Sequence, residues 1–275
     1  MFNLKKVRIM VKILNILDLK GNIVGTIELP TIFDFPVRPD LIRRAVLALS
    51  TSRLQPKGTD SLAGLRTTAE SWGVGHGVAR VPRVKGSSRA ARVPQAVKGR
   101  RAHPPRVEKK IWEYINEKEK RLATLSALAA TVDPSIVRAR GHRIEDAKQI
   151  PPIVVDDLQK LTKTSEVREV LEALGLWSDV ERAMEGTRIR AGKGKTRGRR
   201  YKVPKSLLIV VAKNEGIAWA ARNLPGVEVA TAQNVNIVQL APGGHPGRLT
   251  LYTVSSIGAL VERFSGVPVW NPLAL

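Results

Sequence analysis

The sequence contains no cysteine and few aromatic residues. Without cysteine the chain cannot use thiol catalysis, disulfide bonds, or zinc and iron–sulfur sites with cysteine ligands. Aromatic residues make up only 4% of the 275 residues, fewer than proteins that bind single-stranded nucleic acid by base stacking usually carry. Trp112, Trp177 and Trp219 lie in segments with a helix-like pattern, where we expect them to pack in the core or in an interface.

Long apolar runs are also missing. The longest run, residues 206–212, is far shorter than the ~20 residues that a membrane-spanning helix needs. Basic residues near the N-terminus weakly resemble the start of a signal peptide, but polar residues between positions 12 and 18 interrupt the apolar part. We therefore expect a cytoplasmic protein with no membrane partner. The regular pattern begins at Val11, which leaves residues 1–9 as an extension.

Acidic residues are nearly absent from two stretches of the chain. Residues 51–106 hold twelve lysines and arginines against two acidic residues, and residues 186–205 hold nine and none. The formal net charge of the chain is +22, so the remaining residues are close to neutral. A near-neutral body with two concentrated cationic segments is typical of a protein that binds a polyanion.

Glycine and proline recur in both basic stretches and exclude a long helix. We expect both stretches to stay unstructured until phosphate groups neutralise them. We also expect their cations to contact successive phosphates of an RNA. In the first stretch these are Arg53, Lys57, Arg66, Arg80, Arg83, Lys85, Arg89, Arg92, Lys98, Arg100, Arg101 and Arg106. In the second they are Arg188, Arg190, Lys193, Lys195, Arg197, Arg199, Arg200 and Lys202.

The remaining chain predicts an α/β fold. Two β-rich runs at residues 11–17 and 23–29 predict an N-terminal hairpin, and a helical pattern runs from Asp40 to about Leu54. The continuous apolar run at residues 207–212 is typical of a buried parallel strand. Further strands are expected at 153–155, 227–231 and 249–253, and further helices at 164–174, 177–184, 215–223 and 256–264. This order predicts a mostly parallel sheet with helices on both faces.

Another helix is predicted to start at Asn116, with Glu119 completing a capping box. No sustained apolar period occurs between Gln55 and Pro105, as in an extended functional loop. We therefore predict a globular body of residues 11–54 and 107–275, an extended basic loop of residues 55–106, and a second basic RNA-binding segment of residues 186–205 within the body.

Several short motifs resemble enzyme signatures but do not match them fully. Residues 192–196 read Gly-Lys-Gly-Lys-Thr, but a phosphate-binding loop needs glycine at position 189, which is isoleucine. The glycine-rich residues 72–77 do not fit the dinucleotide fingerprint, because Val78 stands where a glycine is required. The four histidines are scattered without metal-site spacing. Asp156 and Asp157 are adjacent at a strand end, and we expect them to cap a helix or face solvent.

Taken together, longer motifs in the chain resemble the large-subunit ribosomal protein four family, in its archaeal and eukaryotic branch. The motifs are Gly-Leu-Arg-Thr at 64–67, Glu-Ser at 70–71, Arg-Val-Pro-Gln-Ala-Val-Lys-Gly-Arg-Arg-Ala-His-Pro-Pro at 92–105, Ser-Ala-Leu-Ala-Ala-Thr at 126–131, Arg-Gly-His at 140–142, Arg-Ala-Gly-Lys-Gly-Lys-Thr-Arg-Gly-Arg at 190–199 and Leu-Ala-Pro-Gly-Gly-His-Pro-Gly-Arg at 240–248. They follow one another in order from about Val11 onwards and add His103, Arg140 and His142 to the expected RNA contacts.

The resemblance implies a structural protein of the large ribosomal subunit that binds ribosomal RNA and supports subunit assembly. It further implies a loop that penetrates the RNA and helps to line the constriction of the nascent-peptide exit tunnel. The residues at the loop tip are Trp72, Gly73, Val74, Gly75, His76 and Gly77. The implied partners are ribosomal RNA, neighbouring ribosomal proteins and the nascent peptide. No cofactor, DNA or metal site is expected, although bound RNA could hold Mg²⁺ or K⁺.

Two other classes stay open from the residues alone. One is an α/β RNA-modifying enzyme with a nucleotide-like cofactor, which would need a glycine-rich turn directly after a strand. The other is a polybasic protein of a membrane surface, which would need an amphipathic helix with a basic face. The sequence offers neither feature clearly.

Overall fold

The computed structural model describes residues 12–266. The expected extension at residues 1–9 and the start of regular structure at Val11 therefore lie outside the described residues. Residues 267–275 also lie outside them.

Six strands form the main sheet, in the order β2-β1-β3-β8-β6-β7. The strands are β1 (Ile13–Leu17), β2 (Ile23–Glu28), β3 (Ile153–Val154), β6 (Leu208–Val211), β7 (Glu228–Thr231) and β8 (Thr250–Thr253). Strands β1 and β2 are antiparallel, and every other neighbouring pair is parallel. A separate two-stranded sheet pairs β4 (Arg188–Ile189) with β5 (Tyr201–Lys202).

Helices cover both faces of the main sheet. They are α1 (Pro39–Thr51), α2 (Glu117–Ala129), α3 (Pro134–Ala139), α4 (Thr164–Ala173), α5 (Trp177–Glu185), α6 (Ile217–Ala221), α7 (Ile237–Leu240) and α8 (Val254–Phe264). One hydrophobic cluster joins residues of α1, α2, α7 and α8 to one face, and a second cluster joins residues of α3 to α6 to the other. The predicted α/β fold with a mostly parallel sheet is confirmed.

The strand register explains why the sheet has two apolar faces. Ile16, Ile153, Tyr252, Val210 and Ala230 pair in succession across five strands, and all of them contribute to the first hydrophobic cluster. Because side chains alternate along a strand, the residues next to them point to the second cluster. A parallel sheet that is buried on both sides needs such uninterrupted apolar strands.

Helix ends differ from the prediction in two places. Asn116 precedes α2, but its side chain makes no capping hydrogen bond, so the predicted capping box is wrong. A capping box occurs instead at α7, where the Asn236 side chain accepts from the backbone N–H of Gln239 and the Gln239 side chain accepts from that of Asn236. Asp133 caps α3 through the N–H of Ser135 at 2.9 Å.

Of the two alternatives expected for the tryptophans, core or interface packing, the core is excluded for two of the three. Trp112 lies outside any helix, and both Trp112 and Trp219 are 64% exposed, so neither packs in the core of the chain. Trp177 is half-buried, with the Arg168 guanidinium 4.9 Å from the centre of its ring.

The chain separates into two compact units. Among the described residues, the body unit comprises 12–49 and 114–266, and the loop unit comprises 50–113. Between residues 55 and 113 the loop unit has no helix and no strand longer than a single bridge, as expected from the missing apolar period. None of the helices within residues 12–266 is long and apolar enough to cross a membrane.

Candidate nucleic-acid interface

The loop unit is organised by a few backbone contacts. Glu70 and Arg83 form an antiparallel bridge in which each N–H donates to the other's carbonyl oxygen at 2.9 Å. Arg83 forms a second antiparallel bridge with Ala90, and the N–H of Ala91 donates to the carbonyl oxygen of Pro82 at 2.8 Å. Three segments of the loop therefore run side by side.

Small residues allow these segments to approach closely. Ala69 and Ala91 are buried, although the loop unit lacks a large apolar core. Gly64 has a φ of +79°, and a Cβ atom there would lie 2.4 Å from the backbone nitrogen of Arg100. Arg92 donates to the carbonyl oxygens of Leu65 at 3.4 Å and Ala69 at 3.2 Å. Hydrogen bonds from the Arg92 guanidinium, and not a packed apolar core, therefore connect these backbone segments.

The loop tip carries a small aromatic and cationic cluster. The ring of Trp72 lies 6.0 Å from that of His76 in an edge-to-face arrangement, and the Arg83 guanidinium lies 5.5 Å from the Trp72 ring. All residues from 71 to 80 are exposed. Gly73, Gly75 and Gly77 have positive φ values and no neighbouring atoms. Glycine is therefore required there for the backbone conformation and not for close packing.

Most cations of the loop unit lack an acidic partner. Arg66 pairs with Asp60 at 2.6 Å and Lys85 with Glu70 at 3.4 Å, and both pairs are exposed, which makes them weak. The other ten cations that the sequence predicts as RNA contacts in this unit have no carboxylate within ion-pair distance among residues 12–266; they are Arg53, Lys57, Arg80, Arg83, Arg89, Arg92, Lys98, Arg100, Arg101 and Arg106. His103 is exposed beside them, and Arg83 alone of these cations is half-buried.

The second basic segment is a hairpin. Strands β4 and β5 pair Arg188 with Lys202 and Ile189 with Tyr201, and a 3₁₀ turn from Gly192 to Arg197 joins them. Gly198 ends this turn with a φ of +77°, which favours glycine. Local backbone pairing is therefore present in both basic stretches, and the expectation that they stay unstructured until phosphate groups neutralise them stays a prediction for the free chain.

Arg190 supports this hairpin from within. Its backbone N–H donates to the carbonyl oxygen of Arg200 at 2.7 Å, and its guanidinium donates to those of Arg199 at 3.1 Å and Tyr201 at 3.4 Å. The remaining expected cations of the hairpin are exposed and have no carboxylate partner in the part of the chain that the structure describes. They are Arg188, Lys193, Lys195, Arg197, Arg199, Arg200 and Lys202.

Arg140 lies in the body unit and is turned away from solvent. Its guanidinium donates to the carbonyl oxygens of Pro242 at 2.8 Å and of His245. Burial, together with the nearby charges of Arg248 and Arg182, lowers the pKa of Arg140 to about 10. Arg140 therefore holds the 242–246 loop in place, in contrast to the exposed phosphate contact that the sequence suggests.

His142 is buried and faces a carboxylate. Its Nδ1 lies 2.9 Å from Oδ2 of Asp179. The other carboxylate oxygen, Oδ1, accepts from the N–H of Arg143 at 3.0 Å and from Nε of Arg182 at 2.8 Å. Burial lowers the pKa of His142, although the hydrogen bond to Asp179 acts in the opposite direction. Burial acts to raise the pKa of Asp179, but its hydrogen bonds to His142 and Arg182 lower it overall. The side chain of His142 is thus part of the interior of the body unit.

A second buried ion pair was not predicted from the sequence. Arg248 is fully buried, and its Nη1 donates to Glu228 at 2.5 Å. Its guanidinium also donates to the carbonyl oxygens of Ser206 at 2.8 Å, Gln239 at 2.9 Å and Gly226 at 3.1 Å. Burial acts to raise the pKa of Glu228, but the hydrogen bond and charge of Arg248 lower it. The one indication of this ion pair in the sequence is an arginine directly before a predicted strand.

The adjacent acids at residues 156 and 157 have separate local roles. Oδ1 of Asp156 accepts from the N–H of Ser255 at 3.0 Å, in the first turn of α8, and Asp157 pairs with Lys160 at 2.8 Å. Among residues 12–266, no group of three or more histidine or acidic side chains is placed to hold a metal ion.

Comparison with known proteins identifies relatives over most of the chain. Residues 27–263 match the "Ribosomal protein L4/L1 family". The chain is 56% identical over 253 residues to "Large ribosomal subunit protein uL4" of Methanopyrus kandleri, covering 90% of this chain and 97% of that protein. It is 51% identical over 261 residues to the protein of the same name from Sulfolobus acidocaldarius, covering 94% and 98%. The protein of that name from Saccharolobus solfataricus is 56% identical over 252 residues, covering 91% and 94%.

Proposed function

Because the chain belongs to the ribosomal protein L4/L1 family, it is a structural protein of the large ribosomal subunit and not an enzyme, and we propose that it binds ribosomal RNA through its two basic surfaces. The observation that supports this most is the set of exposed cations without carboxylate partners on the loop unit and on the β4–β5 hairpin. Like charges at this density repel one another unless a polyanion neutralises them.

The loop unit, centred on residues 55–106, is proposed to penetrate the RNA. Its cations lie on a backbone without helices or long strands, which suits a segment that follows RNA shape by contacting phosphates and not base edges. The close approach of Gly64 to Arg100 brings two of its backbone segments together. The second basic segment, residues 186–205, is proposed to bind RNA from the body unit.

The tip of the loop, residues 72–77, is proposed to face the exit tunnel and the nascent peptide. Support comes from its full exposure and from three glycines that leave space around the backbone. Neighbouring ribosomal proteins are further proposed partners. No DNA or membrane partner and no cofactor of the protein itself is proposed. Mg²⁺ or K⁺ at these surfaces would be held by the RNA, on a ribosome in the cytoplasm.

Nucleotide-resolution crosslinking from positions 72–80 in assembled large subunits tests this proposal. We expect crosslinks from the flanking position of Arg80 to ribosomal RNA, and from the tip position of Val74 to a stalled nascent chain. Crosslinks from Val74 to RNA alone would contradict the tunnel role. Failure of the chain to co-sediment with large subunits would contradict RNA binding by either surface.

A further inference from the structure

A groove on the body unit borders the second basic segment but is lined by none of the exposed, unpaired cations of the hairpin. It has a volume of about 510 Å³ and is bounded by the end of α5, by the residues that follow β5, and by the turn between α6 and β7. Its lining residues are Met184, Thr187, Val203, Lys205 and residues 222–228.

The segments that form the three walls of the groove pack tightly against one another around Pro204. A Cβ atom at Gly186, after α5, would lie 2.8 Å from Cγ of Pro204. A Cβ atom at Gly226, in the α6–β7 turn, would lie 2.3 Å from the carbonyl oxygen of Pro204. The N–H of Ser206 donates to the carbonyl oxygen of Gly226 at 3.0 Å. The groove is therefore preformed.

Buried ion pairs fix the same walls. The Arg182 guanidinium pairs with Asp179 and donates to the carbonyl oxygen of Lys205 at 2.9 Å. The Arg248 guanidinium pairs with Glu228 and donates to the carbonyl oxygen of Gly226 at 3.1 Å. Charge-assisted hydrogen bonds of this kind hold a binding site rigid, which reduces the entropy lost when a ligand binds.

The groove surface has apolar area beside an ion pair between Lys205 and Glu228, both of which line it. Met184 is 57% exposed and Val203 is 42% exposed, so both leave apolar area in solvent. The Asn223 side chain makes no hydrogen bond to any residue within 12–266. Its amide therefore offers a donor and an acceptor to the polar edge of a ring bound on the apolar walls.

A stacked pair forms the rim. Arg222 lines the groove, and its guanidinium lies 4.1 Å from the centre of the Trp219 ring, which is 64% exposed. Proteins bind unstacked RNA bases on aromatic rings and on arginine planes. The hairpin of exposed cations ends at Lys202, directly before Val203 in the groove wall. An RNA strand that follows these cations reaches the groove.

We propose that this groove binds an unstacked base of the ribosomal RNA, on a strand whose phosphates contact the β4–β5 hairpin. The base packs on Met184 and Val203, its edge meets Asn223, and Trp219 with Arg222 covers it at the rim. Charge favours this occupant over a protein segment, because the neighbouring hairpin has eight cations and no acid across residues 188–202. The proposal rests on the proposed function and adds a specific contact to it.

Chemical probing of ribosomal RNA bound to the full chain tests the groove. Trp219→Ala and Met184→Ala shorten exposed side chains without changing charge, and Val24→Ala, at a side chain 65% exposed on the edge strand β2, is the matched control. We expect the natural chain and the control to protect one unpaired nucleotide that both groove variants leave reactive. Trp219→Ala is expected to weaken binding about 5- to 100-fold, the range for loss of one base-stacking contact.

Two results overturn the proposal. One is an identical pattern of base reactivity for Met184→Ala, Trp219→Ala and Val24→Ala while the hairpin still protects phosphates. The other is a photo-crosslinker at position 184 that reacts with a neighbouring protein in assembled subunits and not with RNA. If phosphate protection by the hairpin is itself missing, the proposed function fails as well, so the two failures can be told apart.

Discussion

Nδ1 of His142 donates a hydrogen bond of 2.9 Å to Asp179, and both side chains are buried. Asp179 stands on α5 and His142 follows α3, so the contact joins two segments that are 37 residues apart. Since Arg182 shares the same carboxylate and donates to the carbonyl oxygen of Lys205, this pair also sets where the basic hairpin joins the rest of the body unit.

Removal of the Asp179 carboxylate is expected to destabilise the body unit strongly. Asp179→Ala leaves the Arg182 guanidinium without its carboxylate and the His142 ring without its acceptor, and breaking a buried pair in this way costs about 3–5 kcal/mol. Equilibrium unfolding in urea measures the effect.

Asp157→Ala is the control for this experiment, because Asp157 is exposed and pairs only with Lys160. We expect that change to cost less than about 1 kcal/mol. Equal losses for the two variants would mean that the buried pair contributes nothing specific to stability.

The stability of the body unit is expected to fall in mild acid because of His142. Burial lowers its folded pKa below the ordinary 6.5, so below that pH the unfolded chain binds a proton that the folded chain does not. The contribution of neutral His142 to the free energy of unfolding is complete above pH 6.5. It is lost as the pH falls from 6.5 through the pKa of His142 in the folded chain. His142→Gln keeps a donor for Asp179 but does not titrate, so its unfolding free energy changes less with pH in this window.

His245→Gln serves as the control, since His245 is exposed. Urea unfolding of the three proteins between pH 7 and pH 5 compares their slopes. A slope for His142→Gln as steep as that of the natural chain would show that other groups carry the acid sensitivity.

The fold could be predicted where apolar patterns are long. The run at residues 207–212 identified β6, and the helical period after Asp40 identified α1 to within three residues at its end. The short helices α3 and α7, of six and four residues, are too brief to show a period, and their capping residues are the clearer signal. The β4–β5 hairpin was missed because its two-residue strands are exposed and have no apolar run, unlike the equally short and buried β3.

The candidate interface could be predicted from charge, but not the role of every cation. Arg140, Arg190 and Arg248 have the same sequence character as exposed neighbours, yet each donates to backbone carbonyl oxygens. The carbonyl groups around Arg248 come from three separate segments of the chain, so only the folded structure brings them together. Composition therefore predicts where a basic surface lies. It does not distinguish the cations that hydrogen-bond to the protein backbone from those that are exposed and available to RNA.

The close contact at Gly64 predicts a local effect on the loop unit. In Gly64→Ala the new Cβ would lie 2.4 Å from the backbone nitrogen of Arg100, so the two loop segments must separate. Gly75→Ala is the control, because φ is +91° there but the space is open. Both variants have unfavourable backbone strain of about 1 kcal/mol, and only Gly64→Ala also has a clash.

Limited proteolysis within residues 55–106 distinguishes these glycine variants. We expect faster cleavage for Gly64→Ala than for Gly75→Ala, with urea unfolding of the body unit unchanged. Equal cleavage rates would mean that the packing of Gly64 on Arg100 does not order the loop.

Exposed hairpin cations are expected to determine the salt dependence of RNA binding. Lys193→Gln combined with Lys195→Gln should reduce the slope of log affinity against log salt by about 0.7–0.9 for each cation removed. Lys163→Gln is the control, because Lys163 is an exposed cation near Glu166, at 3.7 Å, outside both basic segments. Binding to a ribosomal RNA fragment over a series of KCl concentrations gives the slopes, and an unchanged slope in the double variant would contradict phosphate contacts by the hairpin.

Arg190 is expected to act on the hairpin in a different way from these lysines. Arg190→Gln removes the guanidinium that donates to the carbonyl oxygens of Arg199 and Tyr201, so the two strands lose their cross-link. Amide hydrogen exchange in residues 188–202 of the free chain should become faster in Arg190→Gln and stay unchanged in Lys193→Gln, whose side chain is exposed. Unchanged exchange in Arg190→Gln would place Arg190 among the phosphate-binding cations, because the hairpin would then be ordered without its guanidinium.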